Sequence, residues 1–414
     1  MKTCKLNGMV FAMAAIIGIA LTACDNGNTH NHTHDWQWVT TTPATEEADG
    51  EETEKCSICG ETRGTRPIPK LPPPPNNDGK MVYLGLKDEA NVRTAQTSLR
   101  VKYWPKTQII DNFLYVPTIN GIYRKDLTAL NNIDWELYAF EGMPISDFIK
   151  NEETVLAATA LLSDKNVLLL STDDGLTYID YTHRYFIDLY GSMSYGKCII
   201  HRLAQNPHNR NIIMALHDGN PGVSLSADFG IGWELLNTTI GGYQDRFIDF
   251  NPHDVTNVFH TGETEFYQSF INATYDSGVT WATVDAFDSN CSHGIAFHPS
   301  NKNIMVAYGE GRITKSTDQG RTWTTTGNIP LYVYKVIYDR NNPNILYASG
   351  GYREMGEVID IYRSTDGGDS WHIFYEEAIE NFDGVMDIHL YNNKLIIYTL
   401  INGVYYLNLA QNES

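Results

Sequence analysis

The chain has 414 residues, 42% hydrophobic and 19% charged, with 25 tyrosines and 50 acidic side chains against 30 basic ones. That size and apolar content allow a large buried core, and the aromatic bias leans it toward strands. A formal net charge of −20 without a long basic cluster argues against nucleic acid as a partner, because nothing would displace counterions from phosphates.

Lys2 and Lys5 precede an apolar run over 9–20, and Leu21, Thr22, Ala23 and Cys24 close it with small residues before a cysteine. This is the pattern of a signal peptide over 1–23, and the run is shorter than the roughly 20 residues a bilayer-crossing helix needs. The ending resembles the lipobox of bacterial lipoproteins. That resemblance implies diacylglycerol and a palmitate-type acyl chain on Cys24, cleavage before it, and a protein anchored to a membrane on its periplasmic side or at the cell surface. Loss of Lys2 and Lys5 would leave the mature chain more acidic still.

From 24 to 80 the composition turns to His, Thr, Glu and Pro, ending in the spacer Pro72, Pro73, Pro74 and Pro75. This segment reads as a disordered linker carrying one candidate metal site. His30, His32 and His34 with Cys56 and Cys59 offer imidazole and thiolate ligands suited to zinc. The stretch from His34 and Trp36 to Cys56, Cys59 and Gly60 also resembles a small module of secreted bacterial proteins. A further cysteine of that module is missing after Pro43, Ala44 and Thr45, so a local disulfide or a plain tether stays open beside zinc.

Beyond residue 80 the chain repeats. Segments starting at Ser171, Ser226, Thr274, Ser316 and Ser364, 42–55 residues apart, share one pattern: Asp173 and Gly175 with Tyr178; Asp228 and Gly230 with Trp233; Asp276 and Gly278 with Trp281; Asp318 and Gly320 with Trp323; Asp366 and Gly368 with Trp371. The period suits a four-stranded blade in a radial array. In this pattern the Asp accepts turn N–H bonds, the Gly supplies positive φ, and the aromatic packs between sheets. A second element precedes each box by about twenty residues: Asn206-Pro207, Asn251-Pro252, His298-Pro299 and Pro343-Asn344, read as the hairpin turn between a blade's first two strands.

The boxes resemble the Asp-box, or BNR, repeat of sialidases, sortilin-type receptors, xyloglucanases and photosystem assembly factors. The resemblance implies an all-β fold, a single β-propeller over 81–414. That stretch divides into seven four-stranded blades at the observed period, with six or eight the neighbouring counts. A first blade without a box is expected around Phe113, Gly121 and Trp135. The C-terminal end supplies only three strands around Met386, Leu395 and Gly403, so residues 81–86 are expected to complete the last blade and seal the ring.

With turns and boxes on one face, the opposite, top face is the expected home of function. Aligning inner strands on their turns brings His201, Arg246, His293 and Tyr334 into one column at the channel mouth, where they bind a ligand or merely satisfy one another. Surrounding loops contribute Tyr190, Tyr243, Glu310, Arg312, Tyr352 and Arg353. The sialidase resemblance would require Arg246, Arg312 and Arg353 as a carboxylate clamp, yet the Arg-Ile-Pro motif of those enzymes is absent near the first inner strand. A xyloglucanase places paired Asp residues between two propellers, and this chain has room for one. The expectation is therefore a membrane-anchored, non-catalytic propeller binding a protein, peptide or glycan at its top face and needing no cofactor in the propeller. A glycoside hydrolase is the alternative. Cys198 and Cys291 open inner strands separated by a whole blade, too far apart for a disulfide, and read as buried thiols.

Overall fold

The computed structural model describes residues 33–42, 48–68, 81–87, 105–130, 134–161, 163, 165–191, 199–218, 222–237, 244–264, 268–285, 291–327, 329–351, 358–379, 384–399 and 402–409. Cys24, His30, His32, Cys198, Tyr243, Tyr352 and Arg353 lie outside them. The segment expected as a disordered linker is folded in part: β1 (Trp36–Thr42), β2 (Gly50–Cys56) and β3 (Thr62–Ile68) form an antiparallel sheet. Its strands alternate Thr with charged residues and aromatics, a pattern that hid two-residue periodicity behind polar composition. Arg63 lies over Trp36 and Arg66 over Trp38, each 4.2 Å from the ring centre, so aromatic–cation stacking takes the place of a core.

The remaining strands form seven four-stranded antiparallel sheets. Their inner strands are Gln108–Ile110, Ile145–Asn151, Ile199–Gln205, Gln244–Asn251, Ser292–Phe297, Tyr332–Tyr338 and Val385–Tyr391, which number blades 1 to 7. An apolar layer joins each blade to the next, with Tyr115 against Phe148 at the first junction and Tyr347 against Ile388 at the sixth. A seventh layer, including Leu84, Leu114, Met386 and Tyr398, joins blade 7 back to blade 1. The ring is thus closed, the all-β propeller that the repeat implied.

Closure uses β4 (Val82–Gly85) as the outermost strand of blade 7, paired antiparallel with Val404–Asn408. Met81 N donates to Tyr375 Oη at 3.1 Å, and Trp135 Nε1 donates to the Leu84 carbonyl at 2.6 Å, so blades 6 and 1 grip the closing strand from both sides.

The five boxes share one hydrogen-bond plan. In blade 5, Ser316 Oγ donates to Asp318 Oδ1 at 2.8 Å and accepts from Gly320 N at 2.8 Å, while Thr322 N donates to Asp318 Oδ1 at 2.9 Å. Trp323 Nε1 then donates to the Gly320 carbonyl at 3.0 Å. Gly320 has φ +77°, and a Cβ there would lie 2.4 Å from Phe259 of the preceding blade. Its conformation and its close approach to that blade both require glycine. Of the box tryptophans only Trp233 is fully buried; Trp281, Trp323 and Trp371 are half-buried at the rim.

The turn after each of four inner strands starts with an acceptor: Asn206, Asn251, His298 and Asp339 each receive the N–H two residues on, at 2.8, 3.0, 3.2 and 2.8 Å. His298 Nδ1 can do this only while unprotonated. Burial, with His253 and Lys315 nearby, pushes its pKa down to about 4. Because the folded value is depressed, its stabilisation is complete above the unfolded value of about 6.5 and is lost as pH falls toward the folded one. His298→Asn, an acceptor that does not titrate, is expected to narrow the gap between the melting temperatures at pH 7 and pH 5; an unaltered gap would count against this role.

Candidate functional site

The predicted column corresponds to one recurring structural feature. Antiparallel register slips by one residue in each of these inner strands, between Ile200 and Arg202, Asp245 and Phe247, Ser292 and Gly294, and Val333 and Lys335. The bulged residues are His201, Arg246, His293 and Tyr334, and Met386 occupies the same place in blade 7. A bulge turns its residue out of the ladder, which is why stepping back a fixed number from the turn finds it. The structure brings adjacent members together: the His293 and Tyr334 rings are 5.1 Å apart, and His293 Nδ1 donates to the Val333 carbonyl at 2.8 Å.

Of the column only Arg246 is buried; His201, His293 and Tyr334 are half-buried. Arg246 is only 7% exposed, and it lies near Cys291, as do Glu263 and Glu310. Burial pushes the Cys291 thiol up to about 12 against the pull of Arg246, so it stays protonated and is no nucleophile. Glu310 is half-buried at the turn before Arg312 and bridges to Tyr332. Tyr190 was expected on a loop, but it ends helix α1 (Thr182–Tyr190), which follows the two-residue outer strand of blade 2. Tyr185 of α1 is buried against Trp233 and joins Ser224 Oγ at 2.8 Å, so the helix supplies the packing that a full fourth strand would have given.

The residue after the bulge carries charge in four blades: Asp147, Arg202, Lys335 and Asp387. Asp147 Oδ2 accepts from Leu203 N at 3.0 Å, tying blade 2 to blade 3. Arg202 Nε donates to the Arg246 carbonyl at 3.1 Å, tying blade 3 to blade 4. Asp387 Oδ2 accepts from Thr107 N at 3.2 Å, and Lys335 Nζ lies 3.0 Å from Asp387 Oδ1, so blades 6, 7 and 1 meet on one carboxylate. Burial alone would raise the Asp387 pKa, but Lys335 and His389 outweigh it and hold the group far below the usual carboxylate range. Thr107 Oγ1 lies 2.6 Å from His389 Nε2, yet Asp387 meets that same nitrogen rather than Nδ1, and Thr107 is 2% exposed. That geometry links blades and does not activate a nucleophile.

A cleft of about 1470 Å³ lies on the opposite face, between the β1–β3 sheet and the turns of blades 5 to 7. Trp38 and Arg66 line one wall; His298, Asn342, Asn344 and Asp366 line the other. Trp38 keeps 38% of its surface exposed, and Lys315 Nζ pairs with Asp369 Oδ1 at 2.9 Å at the rim. Ile68 packs into the apolar layer of blades 6 and 7 and fixes the end of β3 beside the cleft. An indole platform facing side-chain amides and carboxylates can stack on a ring and hydrogen-bond its substituents. The turn and box residues of one wall were read from the sequence as structural motifs, and Trp38 and Arg66 of the other lay in the segment read as a linker.

No protein-family model matches the chain. Two curated xyloglucanase sequences of Acetivibrio thermocellus are 24% identical to it over 310 residues, covering 62% of this chain and 36% of theirs, so the chain spans about a third of their length. The solved xyloglucanase of Xanthomonas campestris, a member of glycoside hydrolase family 74, aligns with 92% of this chain and 54% of its own at 15% identity and a TM-score of 0.56. A structure of YCF48 bound to D1 peptide aligns with 75% of this chain and 94% of its own at 13% identity and a TM-score of 0.51. At these identities the likeness establishes the fold: this chain is a β-propeller of the kind found in family 74 xyloglucanases and in YCF48.

Proposed function

We propose that the protein is a non-catalytic binding propeller, tethered to a membrane through a lipid on Cys24 at the periplasmic side or cell surface, whose ligand is a glycan segment held in the cleft beneath β1–β3. The observation that carries this reading is the partly exposed Trp38 facing the amide-rich turns across an open cleft large enough for several sugar rings. The burial of Arg246 near a protonated thiol supports a structural role for that residue. The xyloglucanase match fits a glycan ligand, and the peptide-bound YCF48 structure favours a peptide as the second reading.

The test is binding of the full chain to glycan and peptide arrays, with Trp38→Ala and His293→Ala beside the wild type and a reducing-end assay on the bound glycan. Glycan binding without turnover, weakened at least tenfold by Trp38→Ala (about 1.4 kcal/mol) and unaffected by His293→Ala, is expected. Loss of binding in His293→Ala alone would move the site to the channel mouth. Peptide binding would replace the glycan, and turnover would make the protein a hydrolase.

A further inference from the structure

The β1–β3 sheet poses a stability problem. Of its strand residues only Gly50, Cys56 and Ile68 are buried, and Ile68 is buried against the propeller rather than within the sheet. A sheet of this size without a core needs a cross-link or an ion. Its most buried side chain, Cys56, is 1% exposed and stands at the end of β2 opposite Trp36, beside His34 and Cys59. The side-chain ligand atoms of His34, Cys56 and Cys59 all lie within 4.8 Å of one another.

The backbone here is shaped like a metal knuckle. Gly60 has φ +76°, its N–H donates to the Cys56 carbonyl at 2.9 Å, and Cys56 N donates to the Glu61 carbonyl at 2.8 Å, so the chain folds tightly round the two sulfurs. Cys59 Sγ is 3.5 Å from His34 Nδ1. The S–N edge of a zinc tetrahedron, with bonds of about 2.3 and 2.05 Å, is about 3.6 Å. The other imidazole nitrogen, Nε2, lies 3.6 Å from Glu61 Oε2, near enough for a small side-chain shift to make it the outer carboxylate partner common for metal-bound histidines.

We propose that His34 Nδ1, Cys56 Sγ and Cys59 Sγ hold one zinc ion, with Glu61 receiving the Nε2–H of His34. The ion ties the entry of β1 to the turn between β2 and β3. A Cys56–Cys59 disulfide would close only a very short loop within one turn and leave β1 untied, so it would not supply the missing cross-link. The fourth position falls to water. This assignment is independent of what the cleft binds.

The test is metal analysis of the full chain, purified without added reductant, followed by cobalt substitution. One zinc per chain is expected, with a thiolate-to-cobalt charge-transfer band of two-sulfur intensity, and both are lost in Cys59→Ser and His34→Gln. Those variants could lose the module outright, so Glu61→Gln is the finer probe: it is expected to keep one zinc while losing ten- to a hundredfold in affinity against a chromophoric chelator. Metal-free protein whose Cys56–Cys59 peptide is lighter by two hydrogens would overturn the proposal, as would undiminished zinc in His34→Gln or a cobalt spectrum without thiolate bands.

Discussion

A chain lacking residues 81–86 is expected to unfold at much lower urea than the full chain and to associate. The missing segment carries Leu84 of β4 and Leu86 just after it, 0% and 5% exposed, in the apolar layer that joins blade 7 to blade 1. Its removal also strands the edge of Val404–Asn408, whose Val404, Tyr405 and Tyr406 pair with β4, and an open edge recruits another chain. The milder Leu84→Ala leaves the ladder in place and isolates the packing contribution. A fully buried leucine truncated to alanine costs about 2–5 kcal/mol, and a loss in that range in denaturant titration is expected. Wild-type stability and a monomeric sedimentation profile in the deletion would show that the ring does not close through β4.

On the inner strands, two carboxylates are expected to respond in opposite directions to the same substitution. Asp387→Asn breaks a buried ion pair with Lys335 and weakens the contacts to Thr107. Removing one partner of such a pair costs about 3–5 kcal/mol. Asp249 is also enclosed, but there burial dominates and pushes its pKa up despite Lys106 and Lys335 nearby. Its charge is a net cost near neutrality, so Asp249→Asn is expected to be neutral or stabilising at pH 7. The pH dependence separates them further. The depressed group, Asp387, contributes stability that is complete above the unfolded carboxylate value of about 4 and is lost as pH falls below it. The raised group, Asp249, contributes below that value and loses its contribution as pH rises. Urea titrations of both variants at pH 7 and pH 4 measure the difference, and equal losses at pH 7 would overturn the charge assignment.

The boxes were legible because each one uses the same short-range bonds, such as Thr274 Oγ1 to Asp276 at 2.7 Å and Ser364 Oγ to Asp366 at 2.8 Å, and local bonding leaves its mark on local residue types. The closing strand was legible by counting, since blade 7 was one strand short. Blade 1 lacks a box, and its strands were visible only as alternating apolar residues such as Leu114 and Ile122. The β1–β3 sheet was not legible: it spends its inward positions on Thr, Arg and Glu, and its cohesion comes from ring stacking and the cysteine turn rather than from apolar periodicity. The column of bulges was found by register, but the burial of Arg246 within it was not, because exposure at a channel mouth depends on seven strands that approach one another only after the ring closes. Asp147, Arg202, Lys335 and Asp387 escaped for a related reason. Each is an ordinary charged residue in its own strand, and its partners come from neighbouring blades 44 to 280 residues away.

The pairing of Gly85 with Val404 also sets an order of events during synthesis. The first propeller strand to leave the ribosome is the last to find its partner, since that partner emerges only after all the intervening blades. Until then the nascent chain is an open arc without its final seam, and the long loop to be closed makes this late step the slow one. Until the last strand is made, the apolar faces of the first and last blades stay open to solvent and to other chains.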